Sequence, residues 1–337
     1  MKKLSLKYYL WAIAFVFAVH IHAQQESDGL LVFDPPSDQF IPIVLQSHKG
    51  LPRFGARDNY KIQNNTGKTP GRTVRPVRGS YDTEKSKEVG LGYRNFSLLL
   101  GLKYRTPFMG DLNRERLTTI SGNMSQEQRN SAYLQNYLRN QIAQSVGTGP
   151  VCENANRGAN EFERIRNYKA FIEQCLDPLV QWSQSFFKNE KMVGYHVSTL
   201  HVGNNYDFDQ KGYWLVHPLQ LNDVFFLKPS GIHSMTFLPS ASFETELMKK
   251  TSSKNHVDFF LQMDEGTAER LMKEGISKLY LVKKIKMVYS GKPLSRPNDR
   301  LEFNYSHVNK EMDVYLDEAL TQHFTTLSMD NLILKTP

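Results

Sequence analysis

Alternation of apolar and polar residues in the C-terminal half constrains the fold of this chain more than any other feature. In 279–289 the apolar residues of one side are Leu279, Leu281, Ile285 and Met287. The same period of two recurs in 195–199, 257–263, 301–306 and 312–316. Such one-sided alternation is typical of an antiparallel sheet with one solvated face. We therefore predict an antiparallel sheet, with tight turns at 209–212, where Gly212 takes positive φ, and at 309–310.

Helical periodicity occupies the middle of the chain. Ser125 and Gln128 form a capping-box pair for a first helix that should end at Gly147. A second run extends over 159–186, and Asp177-Pro178 predicts a kink or a fresh helix within it. A third, short helix over 265–273 should start at a capping Asp264 and end at Gly275.

These elements predict an α+β fold for residues 117–337: a helical hairpin, made of the first two runs, packed on the antiparallel sheet. Residues 24–116 read as a Pro-broken N-terminal segment followed by a basic, partly disordered linker or arm over 63–90. The apolar stretch 93–104 interrupts this polarity, and we expect either a strand or an apolar element docked on the main domain.

The first 23 residues have the order of a secretory signal peptide. Lys2, Lys3 and Lys7 precede an apolar run over 8–19, and Ala23 offers a small residue at the cut. Export to the periplasm or beyond is the expectation, and an uncleaved N-terminal anchor is the alternative. No later stretch approaches 18 apolar residues, which argues against a transmembrane span after cleavage and excludes a multi-span membrane protein.

The positive charge behind the net +8 has two sources, the first 23 residues and one later stretch. Signal cleavage would remove three lysines and no acid, and residues 117–337 carry as many acids as bases. The remaining excess lies in 49–116, where Arg72, Arg75 and Arg78 recur every three residues and would share one side of an extended segment. Such arginines can bind an anionic envelope component or an acidic protein partner, although a solvated linker is the alternative. Nucleic acid is not expected as a partner of an exported protein.

Cys152 and Cys175 are the two cysteines of the chain. Their spacing matches no metal or redox motif, and two cysteines alone cannot complete a zinc site. Export permits a disulfide between them, and two partly buried thiols are the alternative.

The sequence contains no motif of a serine hydrolase, zinc protease or phosphate-binding loop. His196, His201, Asp207 and Asp209 form a candidate polar cluster. His196 and His201 are separated by an odd number of residues, so on one regular strand they point to opposite faces. Asn205, Asp207 and Asp209 lack the glycine and glutamate of a calcium loop and fit a hairpin turn better. We predict no metal and no cofactor.

Two short segments carry a resemblance to a known group of proteins. The sequence NEFERIRNYKAF at 160–171, followed by the 203–214 stretch with Tyr206-Asp207-Phe208, resembles a bacterial secreted family of unknown function over residues 155–320. The resemblance implies no activity and no catalytic residues.

The leading hypothesis from the sequence is an exported, envelope-associated binding module without catalytic activity. One alternative is a hydrolase of envelope glycan or peptide, whose site would need His196 or His201 within about 3 Å of Asp207 or Asp209. Another is a structural subunit of a surface assembly.

Overall fold

The computed structural model of the protein describes residues 25–27, 29–55, 84–108, 125–127, 129–130, 133–134, 150–155, 157–202, 206–218, 235–240 and 256–335. Within these ranges, helices pack on a large, mainly antiparallel sheet, which confirms the α+β class. The expected signal peptide and the arginines Arg72, Arg75 and Arg78 lie outside the described residues.

The strands, in chain order, are β1 (Gln25–Ser27), β2 (Leu30–Phe33), β3 (Ile43–His48), β4 (Leu51–Gly55), β5 (Lys191–His201), β6 (Tyr206–Asp207), β7 (Gly212–Pro218), β8 (Met235–Pro239), β9 (His256–Gln262), β10 (Lys278–Tyr289), β11 (Leu301–Tyr315), β12 (His323–Ser328) and β13 (Ile333–Leu334). The α-helices are α1 (Glu84–Lys103), α2 (Pro150–Glu153), α3 (Glu161–Phe171), α4 (Asp177–Ser185) and α5 (Glu265–Lys273).

Hydrogen bonding orders the larger sheet as β1-β2-β3-β4-β5-β10-β11-β12, and β8 pairs with β11 beside this path. The β4–β5 and β8–β11 pairs are parallel. The remaining pairs of this sheet are antiparallel. Strands of the N-terminal segment thus share one sheet with strands of the C-terminal half.

The apolar–polar alternation predicts β10 correctly and β11 only in part. β10 confirms the predicted strand, and its four apolar residues are fully buried. Residues 301–315 form one strand, however, so the predicted turn at 309–310 is wrong. Both halves of β11 pair with β10, and a register shift there leaves residues 308–311 exposed as a bulge. A bulge resembles a turn in sequence because alternation resumes on either side of it.

The second sheet has the order β13-β9-β7-β6, with antiparallel pairs. In the β6–β7 turn the residue with positive φ is Lys211, at 57°, which corrects the assignment to Gly212. Gly212 meets a different requirement, because a Cβ there would lie 2.2 Å from the carbonyl oxygen of Leu261 on the neighbouring strand β9.

Apolar cores cover both faces of the central strands. On one face, Phe54 and Ile285 pack with α1, α3 and α4 in a first core, and Leu281 packs with the second sheet and α5 in a second core. The opposite face carries a smaller cluster that includes Tyr195. His196 and Ser198 are therefore 5% and 6% exposed, although the alternation of β5 placed them on a solvated face.

Three helical predictions can be compared with the described helices. α5 confirms the helix over 265–273, with the Asp264 carboxylate accepting from the Thr267 amide at 2.9 Å. The interruption at Asp177-Pro178 is also confirmed, because a π-helical turn over 172–176 separates α3 from α4. Of the first predicted helix, residues 126, 127, 129, 130, 133 and 134 are described and helical. The helical hairpin itself stays a prediction, because most of that helix lies outside the described residues.

α1 corrects the interpretation of residues 84–104. The linker assignment of 84–90 and the strand alternative for 93–104 are wrong, whereas the docked apolar element is confirmed, because 84–103 form a helix packed against β3. Its apolar residues lie on all sides, so the sequence offered no amphipathic period. Cys152 and Cys175, the second on the π-helical turn, are joined by a disulfide in the first core.

Candidate functional site

The four residues of the predicted polar cluster divide between β5 and the β6–β7 hairpin, and they have different roles. His196 is buried on β5, where its Nδ1 lies 3.3 Å from the hydroxyl of Ser198. His201 is exposed at the end of the same strand. Asp207 lies in the second sheet, and its carboxylate accepts from the amides of Asp209 and Gln210 at 3.1 and 2.9 Å. Asp207 therefore organises the β6–β7 turn, and among the described residues its hydrogen bonds include none to a histidine.

His196 belongs to a basic seam between the two large cores. Lys283, directly opposite it on β10, is fully buried. Burial first, and then the charges of Lys283 and His307, hold the pKa of His196 well below its usual value. A neutral imidazole beside a buried lysine fits the interior of the sheet.

The opposite face of the same strands carries a group that we call the Tyr195 cluster: Tyr195, Arg53, Lys284 and His48. Strand register places Arg53 of β4 and Lys284 of β10 on either side of Tyr195 of β5. The Lys284 Nζ lies 6.0 Å from the centre of the Tyr195 ring, within cation–π range. The His48 ring meets that ring edge-on, with 4.8 Å between centroids.

An acidic network, which we call the Asp313 network, borders this cluster: Asp313, Lys49, His323 and Thr326. Asp313 accepts from Lys49 Nζ at 3.3 Å and from the Thr326 hydroxyl at 2.8 Å, and His323 Nε2 lies 3.6 Å away. Burial opposes ionisation of Asp313, but the bonds from Thr326 and Lys49 prevail and lower its pKa. The negative charge of Asp313 is therefore compensated within the Asp313 network.

His48 connects the two groups through Tyr315, whose ring meets the His323 ring edge-on with 5.4 Å between centroids. The Nε2 of His48 lies 3.4 Å from the Tyr315 hydroxyl, and the rings of His48 and Tyr315 are 5.5 Å apart. Burial is the main cause that lowers the pKa of His48 to about 4, with Lys49 and Arg53 next. His48 is therefore neutral at pH 7, and Arg53 and Lys284 supply the positive charge of the Tyr195 cluster.

Arg53 is more enclosed than Lys49 and Lys284, the other cations of these two groups. The side chain is 4% exposed, and its Nε and Nη2 atoms are buried without a hydrogen-bond partner among the described residues. Its backbone is held by α1, because the Tyr93 hydroxyl donates to the Arg53 carbonyl. An enclosed guanidinium with open donors is costly, so this position is the most distinctive polar site of the described fold.

The residues of the Tyr195 cluster were not found from the sequence. Tyr195 was assigned to an apolar strand face, and Lys49 and Arg53 were counted in the basic excess of 49–116. The one available signal was an arginine within the otherwise apolar LPRFG segment at 51–55. No group of three or more metal-ligating side chains occurs among the described residues.

Comparison with known proteins adds no relative: no family model, curated protein or solved structure matches the chain. None of the helices within the described ranges has both the length and the apolar character required to cross a bilayer.

Proposed function

We propose that the protein is an exported, envelope-associated binding module that holds an anionic partner without turning it over. The observation that carries the proposal is the Tyr195 cluster, in which the cations Arg53 and Lys284 flank one tyrosine. The arginines Arg72, Arg75 and Arg78 would add long-range attraction, since they extend the basic character beyond the described residues.

Hydrolysis is less well supported by the arrangement of the polar groups. In a catalytic triad the acid binds one imidazole nitrogen and the nucleophile binds the other. Around His323 the same atom, Nε2, lies 3.1 Å from the Thr326 hydroxyl and 3.6 Å from Asp313. The Thr326 hydroxyl also gives its proton to Asp313, so His323 is not placed to take it. This geometry favours binding over acyl transfer.

Retention of the purified protein on an immobilised acidic polysaccharide, compared with a neutral one, tests the proposal. We expect preferential retention on the acidic matrix that weakens as salt shortens the Debye length, which is about 10 Å at 0.1 M. Lys284→Met should weaken the apparent affinity by about 1.5- to 5-fold, the range of one surface ionic contact. Arg72→Gln, Arg75→Gln and Arg78→Gln, made together, test the arm.

Lys273→Met is the matched control. Lys273 is an exposed lysine of α5 that pairs with Glu269 at 2.8 Å, and its loss should leave retention unchanged. Equal retention on acidic and neutral matrices would contradict the proposal. Wild-type retention of the triple arginine variant would remove the arm from it and leave the Tyr195 cluster.

A further inference from the structure

We infer that Arg53 is the anchor of a carboxylate-binding site, in which a carboxylate group of the ligand occupies the open Nε–Nη2 edge of its guanidinium. The inference rests on the proposed function in that it names the chemical group, a carboxylate, of the anionic partner proposed there. Its geometric basis is separate: two buried donors of one side chain lack a partner among the described residues.

The two open donors lie on the same edge of the guanidinium plane. Nε–H and one N–H of Nη2 point in parallel, and this fork matches the two oxygens of a carboxylate. Gln46 on the preceding strand also has a buried amide oxygen without a partner in the described part of the chain, and it does not bond to Arg53. Gln46 therefore leaves the Nε–Nη2 edge of Arg53 without an acceptor.

The charges around Arg53 favour a monoanion. His48 is neutral at pH 7, because its pKa is lowered to about 4. Lys49 is paired with Asp313, and Lys284 is only half-buried beside the Tyr195 ring. One buried positive charge can be balanced by a carboxylate, whereas a phosphate dianion would leave a buried negative charge uncompensated.

The site also explains why an arginine is kept at this position of the sheet. β4 is buried on both faces from Pro52 to Gly55, and the neighbouring Phe54 belongs to the first core. An apolar side chain at 53 would stabilise the ligand-free fold, because replacing an unpaired buried charge removes a desolvation penalty. A guanidinium at this position is physically reasonable if a ligand carboxylate accepts the two missing hydrogen bonds.

Thermal unfolding of the purified protein in different anions, at equal ionic strength, tests this inference. Acetate should raise the midpoint by a few degrees relative to chloride, because a ligand that binds only the folded state stabilises it. Galacturonate and N-acetylglycine, added to separate samples, distinguish an acidic sugar from a peptide C-terminus as the source of the carboxylate. Galactose, the neutral counterpart, should give no shift.

Two substitutions at Arg53 separate the fork from the charge. Arg53→Lys keeps the charge and loses the fork, so the acetate shift should disappear. Arg53→Met should also lose the shift, while its unfolding midpoint in chloride equals or exceeds that of the wild type. Lys286→Met, an exposed cation of β10, is the control and should retain the full shift.

Because phosphate and acetate can also stabilise folded proteins without a specific site, the specific shift is the wild-type shift minus that of Arg53→Lys. Two results would overturn the inference: no such difference in acetate, or a larger difference in phosphate than in acetate. Nitrogen NMR of the Arg53 side chain supplies a readout that does not depend on the variants folding. A new Nε–H hydrogen bond on adding acetate supports the site. A bond to Gln46 or to an acid of residues 56–83 in the ligand-free protein refutes it. Failure here, with polysaccharide retention intact, would leave the proposed function standing.

Discussion

His48 is an imidazole that folding holds in its neutral form. Its pKa is about 4 in the folded protein, against 6.5 for an ordinary histidine, because burial, Lys49 and Arg53 outweigh the attraction of Asp313. The unfolded chain therefore takes up the proton first as pH falls. The stability that His48 contributes is complete above pH 6.5 and is lost between pH 6.5 and about 4.

We expect His48→Gln to reduce the pH dependence of the free energy of unfolding in that window. The shift sets a ceiling of about 3 kcal/mol, and discounting for a half-exposed ring leaves about 1 to 2 kcal/mol. Urea unfolding at pH 7 and pH 4.5 measures the difference, and pH 4.5 lies above the lowered pKa of Asp313 in the folded protein. His201→Gln, at an exposed histidine, is the control. An identical pH dependence in wild type and His48→Gln would show that His48 is not the group responsible.

At the scale of elements, a glycine decides how closely α1 approaches the sheet. A Cβ on Gly92 would lie 1.9 Å from the carbonyl oxygen of Val44, so helix and strand touch backbone to backbone. Gly92→Ala must push α1 away from β3, and overpacking of this kind typically costs about 1 to 3 kcal/mol. We expect a loss of about 2 kcal/mol in chemical unfolding, despite the higher helix propensity of alanine.

Gly266→Ala provides the matched comparison within α5. There the nearest atom to an added Cβ is the Asp264 carboxylate oxygen, at 3.3 Å. The exposed position should gain up to about 1 kcal/mol from helix propensity. Opposite signs for the two substitutions are the expected result, and a stabilised Gly92→Ala variant would mean that α1 does not pack this closely.

Elements with strong local signals could be predicted from the sequence, and those defined by long-range contact could not. β10 and α5 were predicted almost to the residue, because their period and caps lie within the element. α1 was missed because a helix buried on all sides has no polar face to reveal its period. The Tyr195 cluster was missed for a related reason: the parallel β4–β5 pairing that sets Arg53 beside Tyr195 joins residues 142 positions apart.

At the scale of the whole molecule, part of the basic excess belongs to the folded structure and not to a loose segment. From the sequence, the basic excess of 49–116 was assigned to a loose segment. The described fold nevertheless holds cations of that stretch in defined positions, among them Lys49, Arg53, Lys103 and Arg105. Arg105 is fully buried and donates to the carbonyls of Pro297 and Asp299, each at 2.6 Å. Part of the basic excess is therefore structural, and another part lines the proposed binding face.

The disulfide links the fold of the whole molecule to the compartment in which it works. Cys152 and Cys175 are fully buried in the first core and close a loop with a sequence separation of 23. Restricting the unfolded chain over such a loop is worth about 3 kcal/mol. We expect Cys152→Ala with Cys175→Ala to lower the free energy of unfolding by that amount.

Compartment and oxidation can then be tested together. Expressed with residues 1–23, the protein should be cut after Ala23 and carry no thiol that reacts with an alkylating reagent before reduction, as mass spectrometry would reveal. Expressed in the cytosol without them, it should carry two reactive thiols once unfolded and match the double alanine variant in stability, because cytosolic reductants keep cysteines reduced. Two free thiols in the protein expressed with residues 1–23 would contradict both the disulfide and its role. An uncut N-terminus with the disulfide intact would instead favour the alternative of an uncleaved N-terminal anchor.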